Sequence, residues 1–165
     1  MDITDLILAD HHRQRLAFAV LDDVDPSDTE RLGALWGDLA QFLEVHAAAE
    51  EAVFYPELLR LADEGGEETR DAIGDHNEIR EAVEKAAAAE VGSRDWWDAV
   101  KAARSANTEH MGEEEDDGLP DFRRHASAQL RNDLAVAFET AKTTAAAPQL
   151  DTDVKDPDQY VEEHS

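Results

Sequence analysis

Two stretches of this sequence carry the same polar pattern. His46-Ala-Ala-Ala-Glu50-Glu51-Ala-Val-Phe54-Tyr55-Pro56 is matched by His110-Met-Gly-Glu-Glu114-Glu115-Asp-Asp-Gly118-Leu119-Pro120. Each copy reads His, three residues, Glu-Glu, four residues, Pro. On an α-helix, positions four apart differ by only about 40° around the axis and stack one turn apart. An imidazole and a carboxylate so placed reach one cation. Two such helices facing each other could hold a pair, sharing carboxylates between ions about 3.5–4 Å apart.

A second echo precedes each copy. Asp10-His11 leads the first and Asp75-His76 the second, 35 and 34 residues before His46 and His110. In that alignment Arg15 falls on Arg80, Ala17 on Ala82 and Phe18 on Val83. The chain therefore reads as two halves, each with a histidine on one helix and His-x-x-x-Glu on the next. The metal-ligand candidates are His11, His46, Glu50, His76, His110 and Glu114. His12 competes with His11: the Asp-His alignment and the face carrying Ile7 and Phe18 favour His11, while equal 34-residue spacing favours His12. Tyr55 is a further candidate. On a regular helix it points about 140° from Glu50 and packs; over- or underwinding before Pro56 would turn its phenol inward. Glu51 and Glu115 belong either to the surface or to a supporting layer. Arg15 and Arg80 either pair with acidic neighbours or face solvent, and His125 and His164 lie outside the repeat.

Each of these residues has an ordinary reading. A histidine on an apolar face is commonly a satisfied core residue, and His-Glu four apart is a common helical pair. A glutamate on a buried face, however, needs a partner, and here two occur at matching positions. Without cations two buried carboxylates repel and one pKa should rise; cations remove that cost and should stabilise the fold. The alternative is a purely structural bundle. Imidazole and carboxylate donors without sulfur suit iron or manganese, with zinc a lesser fit.

The elements that must position these residues are helical. Alanine, leucine and glutamate abound, while glycine and proline are few, which predicts an all-α chain. Apolar spacing predicts helices over about 4–21, 27–62, 68–90 and from Ser93 past His110, with Asp25 capping the second and Ser93 the fourth. Trp36, Leu39 and Leu43 share the face of His46 and Glu50. Ala72, Ile73, Ile79 and Val83 flank His76, and Trp96, Val100, Ala103 and Asn107 lead to His110. Helical geometry should be disturbed at Pro56 and around Gly118-Leu119-Pro120. Phe122, Ala126, Leu130, Leu134 and Phe138 mark a fifth helix over about 121–143, either continuing the fourth or packing on its side. Short connections predict an up-down-up-down four-helix bundle over 1–145 with this additional helix. Residues 146–165 read as an acidic, flexible tail.

The chain has 165 residues, a formal charge of -25 and no cysteine. Such charge argues against nucleic acid and anionic membrane as partners. Missing cysteine excludes disulfides, iron–sulfur clusters and thiolate zinc sites. No signal peptide or apolar span is visible, so the expected location is cytoplasmic.

Over about residues 3–120 the combined motifs resemble the hemerythrin-like, HHE cation-binding family. The resemblance implies a four-helix bundle around two iron ions joined by an oxo or hydroxo bridge, with dioxygen, nitric oxide or peroxide as ligand. It places the metal ligands on His11, His46, Glu50, His76, His110 and Glu114. Invertebrate oxygen carriers of this family have a second histidine one turn after that of the third helix, where this chain has Arg80. Their last carboxylate is an aspartate five residues after its histidine, where this chain has Glu115 and the internal repeat favours Glu114. Fewer nitrogen ligands favour redox chemistry on small oxidants over reversible oxygen carriage. An iron or oxygen sensor or buffer would share the same ligands without turnover. Neither the electron donor nor the oligomeric state is encoded in these motifs.

Overall fold

The computed structural model describes residues 1–145 and 153–165. Among them there are helices and no strand: α1 (Ile3–Asp22), α2 (Thr29–Ala49), a π-helical turn (Glu50–Phe54), α3 (Tyr55–Leu61), α4 (Gly65–Ala88), α5 (Arg94–Glu113), a second π-helical turn (Glu114–Gly118), α6 (Leu119–His125), α7 (Ala128–Ala145) and α8 (Pro157–His164). Because α3 and α6 continue α2 and α5 through the π turns, these segments make six helical rods. None is long and apolar enough to cross a membrane.

Two apolar clusters show how the rods run. One gathers Ile3 and Ile7, Phe54 and Leu58, Ile73, and Leu119 and Phe122. The other gathers Phe18 and Leu21, Trp36 and Leu39, Ile79 and Ala82, and Trp96 and Val100. The first cluster thus takes residues before His11, after His46, before His76 and after His110; the second takes the opposite sides. Only alternating chain direction does this, so the first four rods run up-down-up-down. The four histidines form a polar layer between two dry ends, where large side chains bury about 1.5–3 kcal/mol each.

Short polar residues set the helix starts. Asp2, Asp28 and Ser93 accept the backbone N–H groups of Thr4, Arg31 and Trp96, satisfying donors that the helix leaves free. Ser93 caps as predicted. Asp25 does not cap α2; it holds Ser27 in a turn, and the helix starts one turn later from Asp28. Gly65 opens α4 against the end of α3, where an added Cβ would lie 2.3 Å from the Leu58 carbonyl oxygen. Gly92 adopts φ 81 in the turn before α5, a conformation that suits glycine.

Two expectations need correction. The fifth segment is not one helix: residues 121–125 belong to α6, and the chain breaks at Ala126-Ser127 before α7 packs on α1, α2 and the first π turn. The tail expected over 146–165 also holds an ordered end. Residues 153–165 include α8, which packs on α3 and α4 and buries Tyr160; residues 146–152 lie outside the described ones.

Candidate metal centre

Both prolines act as expected, and the way they do so shapes the site. Neither can donate to the carbonyl four residues back. The helix widens instead, and the N–H groups of Tyr55 and Leu119 reach the carbonyls of Glu50 and Glu114, five residues back. Such π turns recur at functional sites. The π turn brings Tyr55 round towards the face of Glu50, so the 140° separation of a regular helix does not hold. The Tyr55 ring is fully buried, 5.7 Å from the His76 ring.

The structure brings the six candidate ligands into one buried layer. His11, His46, Glu50, His76, His110 and Glu114 are each at most 5% exposed. Glu50 sits at the middle. Its Oε1 lies 2.9 Å from His46 Nε2, and its Oε2 lies 3.4 Å from His76 Nε2 and 3.9 Å from His110 Nε2. His76 Nε2 and His110 Nε2 are 3.1 Å apart. Glu114 Oε2 approaches His11 Nε2 at 3.3 Å. Two sets of donors result, His11-His46-Glu50 and Glu50-His76-His110, each with ligand atoms within 4.8 Å of one another. Glu50 belongs to both. His12 is exposed and takes no part.

All four imidazoles are held from behind at Nδ1, by a crossed pattern. Asp10 lies 3.3 Å from His46 Nδ1 and Asp75 lies 3.5 Å from His110 Nδ1, each within its own half. Glu115 and Glu51 cross over, to His11 Nδ1 and His76 Nδ1, both at 2.9 Å. A carboxylate behind an imidazole fixes its orientation and turns the other nitrogen towards a cation. The second glutamate of each Glu-Glu pair is thus a supporting group. The two arginines complete the pattern: Arg15 binds Glu115 at 2.8 Å and Arg80 binds Glu51 at 2.9 Å. Lys142 and Lys155 brace Asp10 and Glu51, each at 2.7 Å. Asp10 and Asp75 were visible in the sequence only as neighbours of their histidines. Their true partners lie 36 and 35 residues on, a pairing that only antiparallel packing creates.

The inward atoms lack satisfied hydrogen bonds. His11 Nε2, His46 Nε2, both oxygens of Glu50 and of Glu114, and the Tyr55 hydroxyl are buried without an aligned partner. Buried polar atoms are rarely left so. Seven of them converging on one layer, all nitrogen or oxygen, fit a pair of cations.

Electrostatics partly replaces the cations when they are absent. Burial pushes the Glu50 carboxyl up, but the His46 charge and the close approach of the His110, His46 and His76 imidazoles outweigh it and hold the group well below the usual range. The upward shift expected for a repelling carboxylate therefore does not occur at Glu50, because imidazoles surround it. Burial disfavours charged His46 and His110, yet the carboxylates about them raise their pKa values to about 9 and about 10. For Tyr55, burial first and then the charges of Glu114, Glu50 and Glu51 raise the phenol well above its usual range.

A pH dependence follows. The folded pKa values of His46 and His110 lie above the unfolded value of about 6.5, so the stability they contribute is full below that pH and is lost as pH rises towards 9–10. The chelated protein should melt at progressively lower temperature from pH 7 to 10. Cation uptake at pH 7 should release at least two protons, one from each of these imidazoles, because a coordinated Nε2 carries none. Calorimetry in buffers of different ionisation enthalpy reads that number.

A model of the hemerythrin HHE cation-binding domain matches residues 2–122. A curated protein of Nostoc sp. (strain PCC 7120 / SAG 25.82 / UTEX 2576) described as a DNA nickase is 25% identical over 143 residues, which is 87% of this chain. The chain spans about two-fifths, 40%, of that protein. No solved structure matches. With the four inward histidines and their glutamates in one buried layer, and a match over most of its length, this chain belongs to the hemerythrin HHE cation-binding family.

Proposed function

We propose that this chain holds two iron ions at the histidine layer and uses them to bind and reduce small oxidants, with hydrogen peroxide and nitric oxide as the leading candidates. The observation that carries this reading is Glu50, one carboxylate facing two separate histidine pairs. His11 and His46 would hold one ion and His76 and His110 the other, with Glu50 between them and Glu114 on the His11 side. Nitrogen and oxygen donors suit iron. A pair of iron ions, when bound, supplies electrons in twos at one point.

The protein's own groups shape what reaches that point. Arg80 is engaged with Glu44 and Glu51, so it offers nothing to a cation where an oxygen carrier has histidine. Tyr55 instead presents its hydroxyl to the layer. That hydroxyl is buried without an aligned partner, so it can donate a hydrogen bond to an oxidant. A cavity of about 230 Å³ reaches Tyr55, His110 and Glu114 from the surface, a size suited to small molecules. The apolar clusters on either side keep water from the rest of the layer and so strengthen these interactions. Disproportionation of peroxide to water and dioxygen balances without an outside electron donor; reduction of nitric oxide requires one.

The nicking activity named for the Nostoc protein is not part of this reading. That protein is more than twice as long, and a chain of charge -25 repels a phosphate backbone.

The test loads the chelated protein with ferrous iron in the absence of oxygen, then measures metal content and steady-state peroxide consumption. Two irons per chain and turnover that Glu50→Gln abolishes are the expected results. Absence of bound iron overturns the reading; iron without turnover makes the protein a sensor or buffer. A broad visible band that Tyr55→Phe removes would assign the phenolate to ferric iron.

A further inference from the structure

The cavity leading to Tyr55, His110 and Glu114 has a one-sided chemistry. Seven of its twelve lining residues are carboxylates and none is lysine or arginine. Glu67, Glu68, Asp71, Glu113 and Asp117 line its walls, and none of the five forms an ion pair among the described residues. This is not a solvated acidic surface alone. Two buried side chains with unpartnered polar atoms, Glu114 at 5% exposure and Tyr55 at 0%, form its inner end. Glu68 Oε2 is likewise buried without a partner. Burial and the charges of Asp121, Asp117 and Glu64 push the Glu68 carboxyl up to about 7, a sign of uncompensated negative field.

The repeat explains why the opening lies on this side. Gly118 occupies the place that Phe54 holds in the first copy of the motif, eight residues after its histidine. Phe54 is fully buried and packs on Phe122. At Gly118 an added Cβ would stand 3.9 Å from both Glu114 Cγ and Glu68 Oε2. A glycine where the other half has a phenylalanine leaves space between the carboxylates of the wall and that of the centre. Its φ of -61 is ordinary helix, so the absence of a side chain, rather than backbone geometry, is what matters there.

We propose that this cavity is the passage by which divalent cations reach the histidine layer, with Glu68, Asp71 and Asp117 drawing the ion in and Glu114 receiving it. A cleft lined by one sign of charge concentrates the opposite ion and speeds its arrival. The proposal rests on the metal-centre reading, and the experiment separates the two.

Chelated full-length protein is mixed with Co²⁺, and bound metal is measured after rapid desalting at timed intervals. Two variants are compared with the parent: Glu68→Gln/Asp71→Asn/Asp117→Asn, which removes charge, and Gly118→Leu, which fills the opening. Melting curves confirm that both fold. Both should load at least tenfold more slowly and reach the same final cation content. Added salt should slow the parent, through screening, and slow the charge variant by a smaller factor. An unchanged loading rate in either variant overturns the passage while leaving the centre intact. A parent that takes up no cation at any time overturns the centre as well.

Discussion

Glu50→Gln should leave the protein unable to hold either cation, whereas His11→Ala should cost one of the two. The difference follows from position. His11 belongs to one donor set, while Glu50 contributes an oxygen to each. An amide keeps the shape and loses the charge that offsets two cations. The same substitution should lower the stability of the chelated protein by about 3–5 kcal/mol, the usual cost of removing one partner from a buried ion pair, because Glu50 is fully buried beside His46, His76 and His110. Metal analysis after dialysis and thermal melts in chelator read the two effects separately. A Glu50→Gln protein that still carries two cations would show that the carboxylate is not shared.

Removing the chain beyond Ala145 should destabilise the bundle by about 3 kcal/mol, in the range found when a buried aromatic is lost. Tyr160 is 6% exposed, and its hydroxyl donates to the backbone carbonyl of Glu51. Lys155 pairs with the Glu51 carboxylate, which in turn bonds His76 Nδ1 at 2.9 Å. Burial opposes the Glu51 charge, but His76, Arg80 and Lys155 hold its pKa down at about 2. The truncation should therefore also loosen the second cation, by less than the 10- to 100-fold typical when the group bonded to a metal-bound histidine is itself lost, because Glu51 stays in place and keeps Arg80. Two point variants divide the effect. Tyr160→Ala should carry most of the stability loss, measured by urea denaturation in chelator. Lys155→Met should carry most of the loss in affinity, measured by competition with a chromophoric chelator. Equal melting of the full and shortened chains would mean that α8 contributes nothing in solution.

The all-helical class, the four bundle rods and the six inward residues were legible in the sequence because helical periodicity is local. Four residues make one turn wherever they stand, so His46 and Glu50, or His110 and Glu114, had to share a face. Duplication did the rest, since an accidental pair seldom repeats with the same spacing. His11, which the Asp-His alignment favoured over His12, lies inward because the bundle turns one face of α1 inward, and adjacent residues lie about 100° apart. Two features were not legible. Tyr55 points inward because the backbone answered Pro56 with a π turn instead of a break. The tail over 146–165 read as acidic and flexible, yet Tyr160 and Lys155 find partners on Glu51, more than a hundred residues earlier.

Spacing along the chain thus determined which imidazoles and carboxylates could act together. Tertiary packing alone decided which carboxylate stands behind which imidazole, that Glu50 lies between both histidine pairs, and that an acidic cavity opens beside Gly118. The reason is geometric: a helix fixes angles within one turn, but distances between helices depend on how their apolar faces interlock.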